Sequence, residues 1–129
     1  MLLRGAALRE VGAFDPGYFM YYEDLDLCWR FQKAGWQNWC DSRAVTWHHI
    51  ENASRSVSSE RWRWQMKATS KRHFYRKHAK WYAADLLWLL TCSREMIHLL
   101  GNRYWTASWH LLRAVFRVAC GFPEARPGD

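Results

Sequence analysis

The sequence predicts an α/β chain: short helices and strands over residues 1–59, a basic and amphipathic helical tail over 60–122, and a disordered end over 123–129. Three observations predict it. Short alternating runs such as "WQNWC" and "AVTW" have the period of strands. Apolar residues beyond residue 60 recur at helical spacing over long stretches. The charge is split, with five Lys/Arg against six Asp/Glu over residues 1–50 and fourteen against six over 51–129. The acidic half reads as the site. The basic half reads as a contact surface for an anionic partner such as phosphate, nucleic acid or a membrane. At 129 residues the chain is long enough for one domain with a real core.

Taken in order, "MLLRG" opens apolar and reads as a strand or its end. "AALREVG" is a short helix stopped by Gly12, and Asp15-Pro16-Gly17 is a turn. A helix begins near Glu23 and ends at Gly35, a residue suited to the left-handed position after a last helical turn. "WQNWC" and then "AVTW" follow as strands, the second running into His48-His49. Residues 51–59 are polar and serine-rich, and read as a loop.

From Glu60 a long basic helix is expected, with nine Lys/Arg against one acid over residues 55–80. Two more helices follow, at about 81–100 and 104–120, separated by Gly101-Asn102. The apolar run "WYAADLLWLLTC" is broken by Asp85 and covers only about 18 Å as a helix, too short for a hydrocarbon core of about 30 Å. In the last helix Trp105, Trp109, Leu112 and Phe116 share one face, and His110, Arg113 and Arg117 share another. That pattern suits a helix lying in a membrane interface, and equally one packed on a core with its arginines in water.

Cys28, Cys40, Cys92 and Cys120 are widely spaced, contain no CxxC pair and read as reduced cytosolic thiols that mostly pack in cores. "MLLRGAALREVG" carries charges where a signal peptide would be apolar, so Asn52-Ala53-Ser54 reads as a chance glycosylation pattern. Cys28, Cys40, His48 and His49 fit no common zinc spacing.

Glu23, Asp24 and Asp26 stand at the start of the second helix. Residues two apart on a helix point about 200° apart, so Asp24 and Asp26 cannot chelate one ion there. Glu23 and Asp24 lie together near the first free N–H groups, where negative charge is favoured and a carboxylate is fixed in direction. That suits a general base taking a proton from a hydroxyl. Complementation of the helix dipole alone accounts for the same acids. His48 leaves a strand end for a loop, a position from which an imidazole can ligate a metal.

The segments "GAALREVGAFDPGYFMYYEDLDLCWRFQKAGW", "AVTWHH" and "RHFYRKH" together resemble the C-terminal half of bacterial family 2 glycosyltransferases of the rhamnosyltransferase-like kind. The resemblance covers about residues 1–80. It implies the acceptor-side half of a GT-A fold followed by the helical tail. It implies transfer of a sugar, rhamnose being one such, from a nucleoside-diphosphate sugar to a hydroxyl of a glycan or lipid-linked acceptor in cell-surface polysaccharide synthesis. Asp24 would be the base, Glu23 and Asp26 would shape the acceptor site, and Trp47 and the region of Arg55 would flank the donor. His48 would help hold a divalent cation, Mg²⁺ or Mn²⁺. The enzyme would sit at the cytoplasmic face of the plasma membrane, on an anionic surface, with no nucleic acid as partner. The family's nucleotide-binding half, with its own Asp-x-Asp motif, has no counterpart here, so the chain is expected to be a fragment inactive alone.

A competing reading comes from "RWRWQMKATSKRHFYRKHAKW", which interleaves basic and aromatic residues as single-strand nucleic-acid binders do. In that reading the chain is a nucleic-acid- or membrane-surface-binding module without catalysis.

Overall fold

The computed structural model describes residues 1–47 and 57–121, with the backbone alone at 57–59. Five helices make up the regular structure: α1 (Gly5–Val11), α2 (Glu23–Lys33), α3 (Val57–His78), α4 (Trp81–Gly101) and α5 (Trp105–Ala119). Helices α3, α4 and α5 pack on one another, and α1 packs on α2.

The expected α/β class is overturned: the described residues form no strand and no sheet. The segments 1–4, 36–40 and 44–47 have apolar residues but pair in no ladder among the described residues. A strand exists only through such pairing, so alternation alone does not make one. Residues 1–4 and 35–41 instead line an open apolar groove of about 1120 Å³, with Leu3, Phe31, Trp36 and Trp39 among its walls. Of the expected serine-rich loop, residues 57–59 already belong to α3, and 51–56 lie outside the described residues. The expected end at 123–129 lies outside the described residues.

The helix boundaries follow local chemistry. Gly12 takes φ 87° after α1 and donates its N–H to the Leu8 carbonyl. At the end of α2 the Gly35 N–H reaches Gln32 O at 3.1 Å and the Trp36 N–H reaches Phe31 O at 2.9 Å. Gly35 sits at φ 87°, so this is a Schellman ending, and Trp36 packs back on the cluster that contains Phe31.

Two apolar clusters hold the chain together. Ala7, Leu27 and Phe31 join α1 to α2, with Leu3, Leu8, Val11 and Trp36 around them. Ala68, Trp88, Cys92 and Ala114 join α3, α4 and α5. Trp88 is 1% exposed, and its indole N–H donates to the Ala68 carbonyl at 3.0 Å, which satisfies the one polar group it buries. Burial keeps the Cys92 thiol protonated, pushing its pKa up.

Arg72 on α3 ties the other two helices to it. Its guanidinium reaches Asp85 of α4 at 2.8 Å and the Val118 carbonyl near the end of α5 at 2.6 Å, and lies over the Trp88 ring. Arg76 shares Asp85, also at 2.8 Å, and the two arginines hold that carboxyl well below the usual range.

Candidate functional site

The candidate site is the start of α2 and the turn that leads into it. The chain arrives through Asp15-Pro16-Gly17, where Asp15 Oδ1 accepts the Gly17 N–H at 2.7 Å. Gly17 lies against α3: a Cβ there would stand 2.8 Å from Nε2 of His73. Ser70 of α3 then donates its hydroxyl to the Met20 carbonyl at 2.7 Å.

Tyr21 and Tyr22 follow, both left-handed, at φ 67° and 68°. For residues with a Cβ each such conformation costs roughly 1–2 kcal/mol and persists only where the surroundings impose it. The imposing contacts come from α3. The Tyr22 ring packs on Phe74 with centroids 5.6 Å apart, and Lys67 lies over the Tyr21 ring. The Tyr22 carbonyl accepts the first bond of α2, from Asp26 N–H at 2.8 Å. Strained backbone of this kind clusters at functional sites.

The three acids that follow have three environments. Asp24 is exposed, and its Oδ1 accepts the Leu25 N–H at 2.7 Å. Glu23 is half-buried, and its Oε2 is shielded from water with no hydrogen-bond partner among the described residues. Asp26 is 0% exposed. The opposed directions of Asp24 and Asp26 expected from helical spacing are therefore present, one acid outward and one inward.

Asp26 joins α2 to the end of α3. It accepts hydrogen bonds from the Tyr18 hydroxyl at 3.2 Å and from Arg30 Nε at 2.8 Å. Lys77 Nζ stands 2.9 Å from it, and His78 Nε2 2.6 Å. Burial alone would raise the Asp26 pKa, but the bonds from Lys77, His78 and Arg30 outweigh it and hold the carboxyl well below its usual range. An ionised carboxylate only accepts, so His78 donates from Nε2. Burial first, then the Asp26 charge, pushes the Tyr18 hydroxyl above the usual phenol range.

The partners extend the network. Lys77 also bonds Asp15, whose carboxyl it lowers, and Lys77 itself is raised: burial opposes its charge, but the two aspartates prevail. Arg30 bonds the Val11 carbonyl at 3.0 Å and the Ala13 carbonyl at 2.7 Å, which locks the end of α1 to α2. The Tyr18 turn, α2, the end of α3 and, through Arg30, the end of α1 are thus tied to one buried carboxylate two residues from the exposed Asp24.

Of the residues singled out from the sequence, Glu23, Asp24 and Asp26 come together at one helix start. Trp47 is 89% exposed and belongs to neither apolar cluster. His48 and Arg55 lie outside the described residues. Among the described residues no group of three or more His, Cys, Asp or Glu is arranged to hold a metal ion. Sequence reasoning did not single out Tyr18, Lys77 or His78. Only the Asp26–Arg30 pair carried a local signal, its i, i+4 spacing.

No family model matches the chain, and no solved structure matches it. Its curated homologues are rhamnosyltransferases. The chain is 39% identical over 69 residues to rhamnosyltransferase WbbL of Escherichia coli strain K12, a match covering 54% of this chain and 26% of that protein. It is 35% identical over 94 residues to the N-acetylglucosaminyl-diphospho-decaprenol L-rhamnosyltransferase of Mycobacterium tuberculosis strain H37Rv, covering 70% of this chain and 29% of that protein. The resemblance carried by the sequence motifs is to the same class of enzyme. The matched parts make up between a quarter and a third of the length of these relatives.

Proposed function

We propose that this chain supplies the acceptor side of a glycosyl-transfer site, with Asp24 as the general base. The observation that carries the reading is the exposed Asp24 carboxylate, set on a helix start that a strained Tyr21-Tyr22 turn and the buried Asp26 hold in place. Similarity to rhamnosyltransferases supplies the reaction class.

In this reading the acceptor hydroxyl gives its proton to Asp24 as its oxygen bonds the anomeric carbon of the donor sugar. The bond to the nucleoside diphosphate breaks, and the diphosphate leaves with the electron pair. A positioned base of this kind contributes about 10²–10⁴ in rate. Glu23 borders the acceptor, and Asp26, being buried, positions α2 without touching it. Trp47 and Arg55 flank the donor. The divalent cation, Mg²⁺ or Mn²⁺, with His48 as one ligand, belongs to the same proposal. So do a rhamnosyl donor and a lipid-linked or glycan acceptor in cell-surface polysaccharide synthesis.

The nucleic-acid alternative is weakened by how α3 uses its charges. Lys71 bonds Glu95 at 2.7 Å, Arg72 and Arg76 bond Asp85, and Lys77 bonds Asp15 and Asp26. Trp64 packs against the three-helix cluster. An open track of cations and stackable rings is not what these residues make.

The test is a chimera. The part of the Mycobacterium tuberculosis relative that has no counterpart here is joined to this chain and assayed with a nucleotide-sugar panel and a lipid-linked acceptor. Sugar transfer by the folded chimera supports the reading, and a folded chimera that binds donor without transfer contradicts it.

A further inference from the structure

The α4–α5 hairpin turns an apolar face away from the rest of the molecule. The inward positions are Ala84, Trp88 and Cys92 on α4, and Ser108, Leu111 and Ala114 on α5. The outward side of α4 carries Tyr82, Leu86, Leu90 and Ile97, all exposed. On α5 it carries Trp105, Trp109, Leu112 and Phe116, at 66%, 56%, 49% and 63% exposure. Among the described residues this stripe is not packed on the core: the tryptophans are exposed, while His110 is buried beside Glu60. The outward side of α4 thus exposes a run of large apolar residues, and a patch of that kind ordinarily marks a contact surface.

The charges say what covers it. The two acids between residues 81 and 121, Asp85 and Glu95, are both paired with α3, through Arg72 and Arg76 and through Lys71. The exposed charged residues of the hairpin are all arginines: Arg94, Arg103 and Arg113. Arg113 lies over the Trp109 ring, 5.7 Å from its centroid. Lys80 adds a further exposed cation at the start of α4, over the Tyr82 ring. A face of Leu, Ile, Phe and Trp whose unpaired exposed charges, among the described residues of the hairpin, are cations is complementary to a surface that is apolar beneath and anionic on top. Among the described residues no helix is long and apolar enough to cross a membrane.

We infer that the α4–α5 face is a lipid-docking surface that lies on an anionic bilayer, with Trp105, Trp109, Leu86 and Leu90 in the headgroup–acyl boundary and Arg94, Arg103 and Arg113 on the phosphates. This surface is separate from the Asp24 site, so it stands or falls independently of the proposed reaction.

The test is co-sedimentation of the full chain with phosphatidylcholine vesicles containing increasing phosphatidylglycerol, at low and high salt. Bound fraction rises with phosphatidylglycerol and falls with salt. Each arginine near an anionic surface contributes roughly fivefold, so R94Q/R103Q/R113Q lowers partitioning by roughly a hundredfold. Trp105→Ser with Trp109→Ser also weakens binding while the unfolding midpoint stays close to that of the parent. Equal binding to neutral vesicles, binding that ignores salt, or no binding at all overturns the inference. So does a dimer in sedimentation velocity that the tryptophan variants dissociate while the parent leaves vesicles unbound, since the cover is then a second copy.

Discussion

Nε2 of His78 lies 2.6 Å from Oδ1 of Asp26, joining the last residue of α3 to the first turn of α2. Fifty-two residues of chain separate the two. With Lys77 on the same carboxylate, this contact fixes the direction in which α2, and with it Asp24, leaves the Tyr21-Tyr22 turn.

Asp26→Asn therefore unfolds the site. The amide keeps the shape but leaves Lys77 and Arg30 facing a buried neutral group. Breaking a buried ion pair at one end costs about 3–5 kcal/mol. Urea unfolding checks this, and a loss below about 1 kcal/mol, the worth of an exposed pair, contradicts the keystone role.

The pH dependence follows in sign. Asp15, Asp26 and Asp85 are all held below the ordinary carboxyl value of 3.8. Their stabilisation is complete above that value and is lost as pH falls through the folded-state values. Lys71 and Lys77 are raised above 10.5, so theirs is complete below it and lost as pH rises further. The urea midpoint is expected to fall on both sides, and Asp26→Asn is expected to flatten the acid limb.

Two tryptophans separate core from surface. Trp88→Ala removes a buried ring with a satisfied N–H and costs about 3–5 kcal/mol. Trp109→Ser loses only an exposed contact with Arg113 and costs about 1 kcal/mol or less. Equal losses in thermal unfolding contradict the assignment of the two faces.

Gly35→Ala adds a Cβ that meets nothing within 4 Å, so its cost is conformational alone. At φ 87° that is about 1 kcal/mol. A stability equal to the parent's removes the Schellman ending as the reason α2 stops there.

Much of the helical structure was legible in the sequence. Gly12 and Gly35 marked helix ends, and the long periodic runs after residue 60 marked α3, α4 and α5 within a few residues. What was not legible depends on distant partners. "WQNWC" and "AVTW" have the alternation of strands, but alternation does not reveal whether another strand lies alongside. The spacing of Asp24 and Asp26 gave opposed directions, yet nothing local says that Lys77 and His78 enclose Asp26. The Trp105–Trp109 stripe was visible, but its outward direction is set by Ser108, Leu111 and Ala114 fitting closely against α3 and α4.

The role of Asp24 is tested most directly by turnover of the chimera carrying Asp24→Asn. The amide cannot take the acceptor's proton, and Asp24 is exposed and removed from the buried network, so folding is left intact. The account predicts a fall in kcat of about 10²–10⁴ with donor affinity close to the parent's. Full kcat in the folded Asp24→Asn chimera would contradict it and assign the proton to another group.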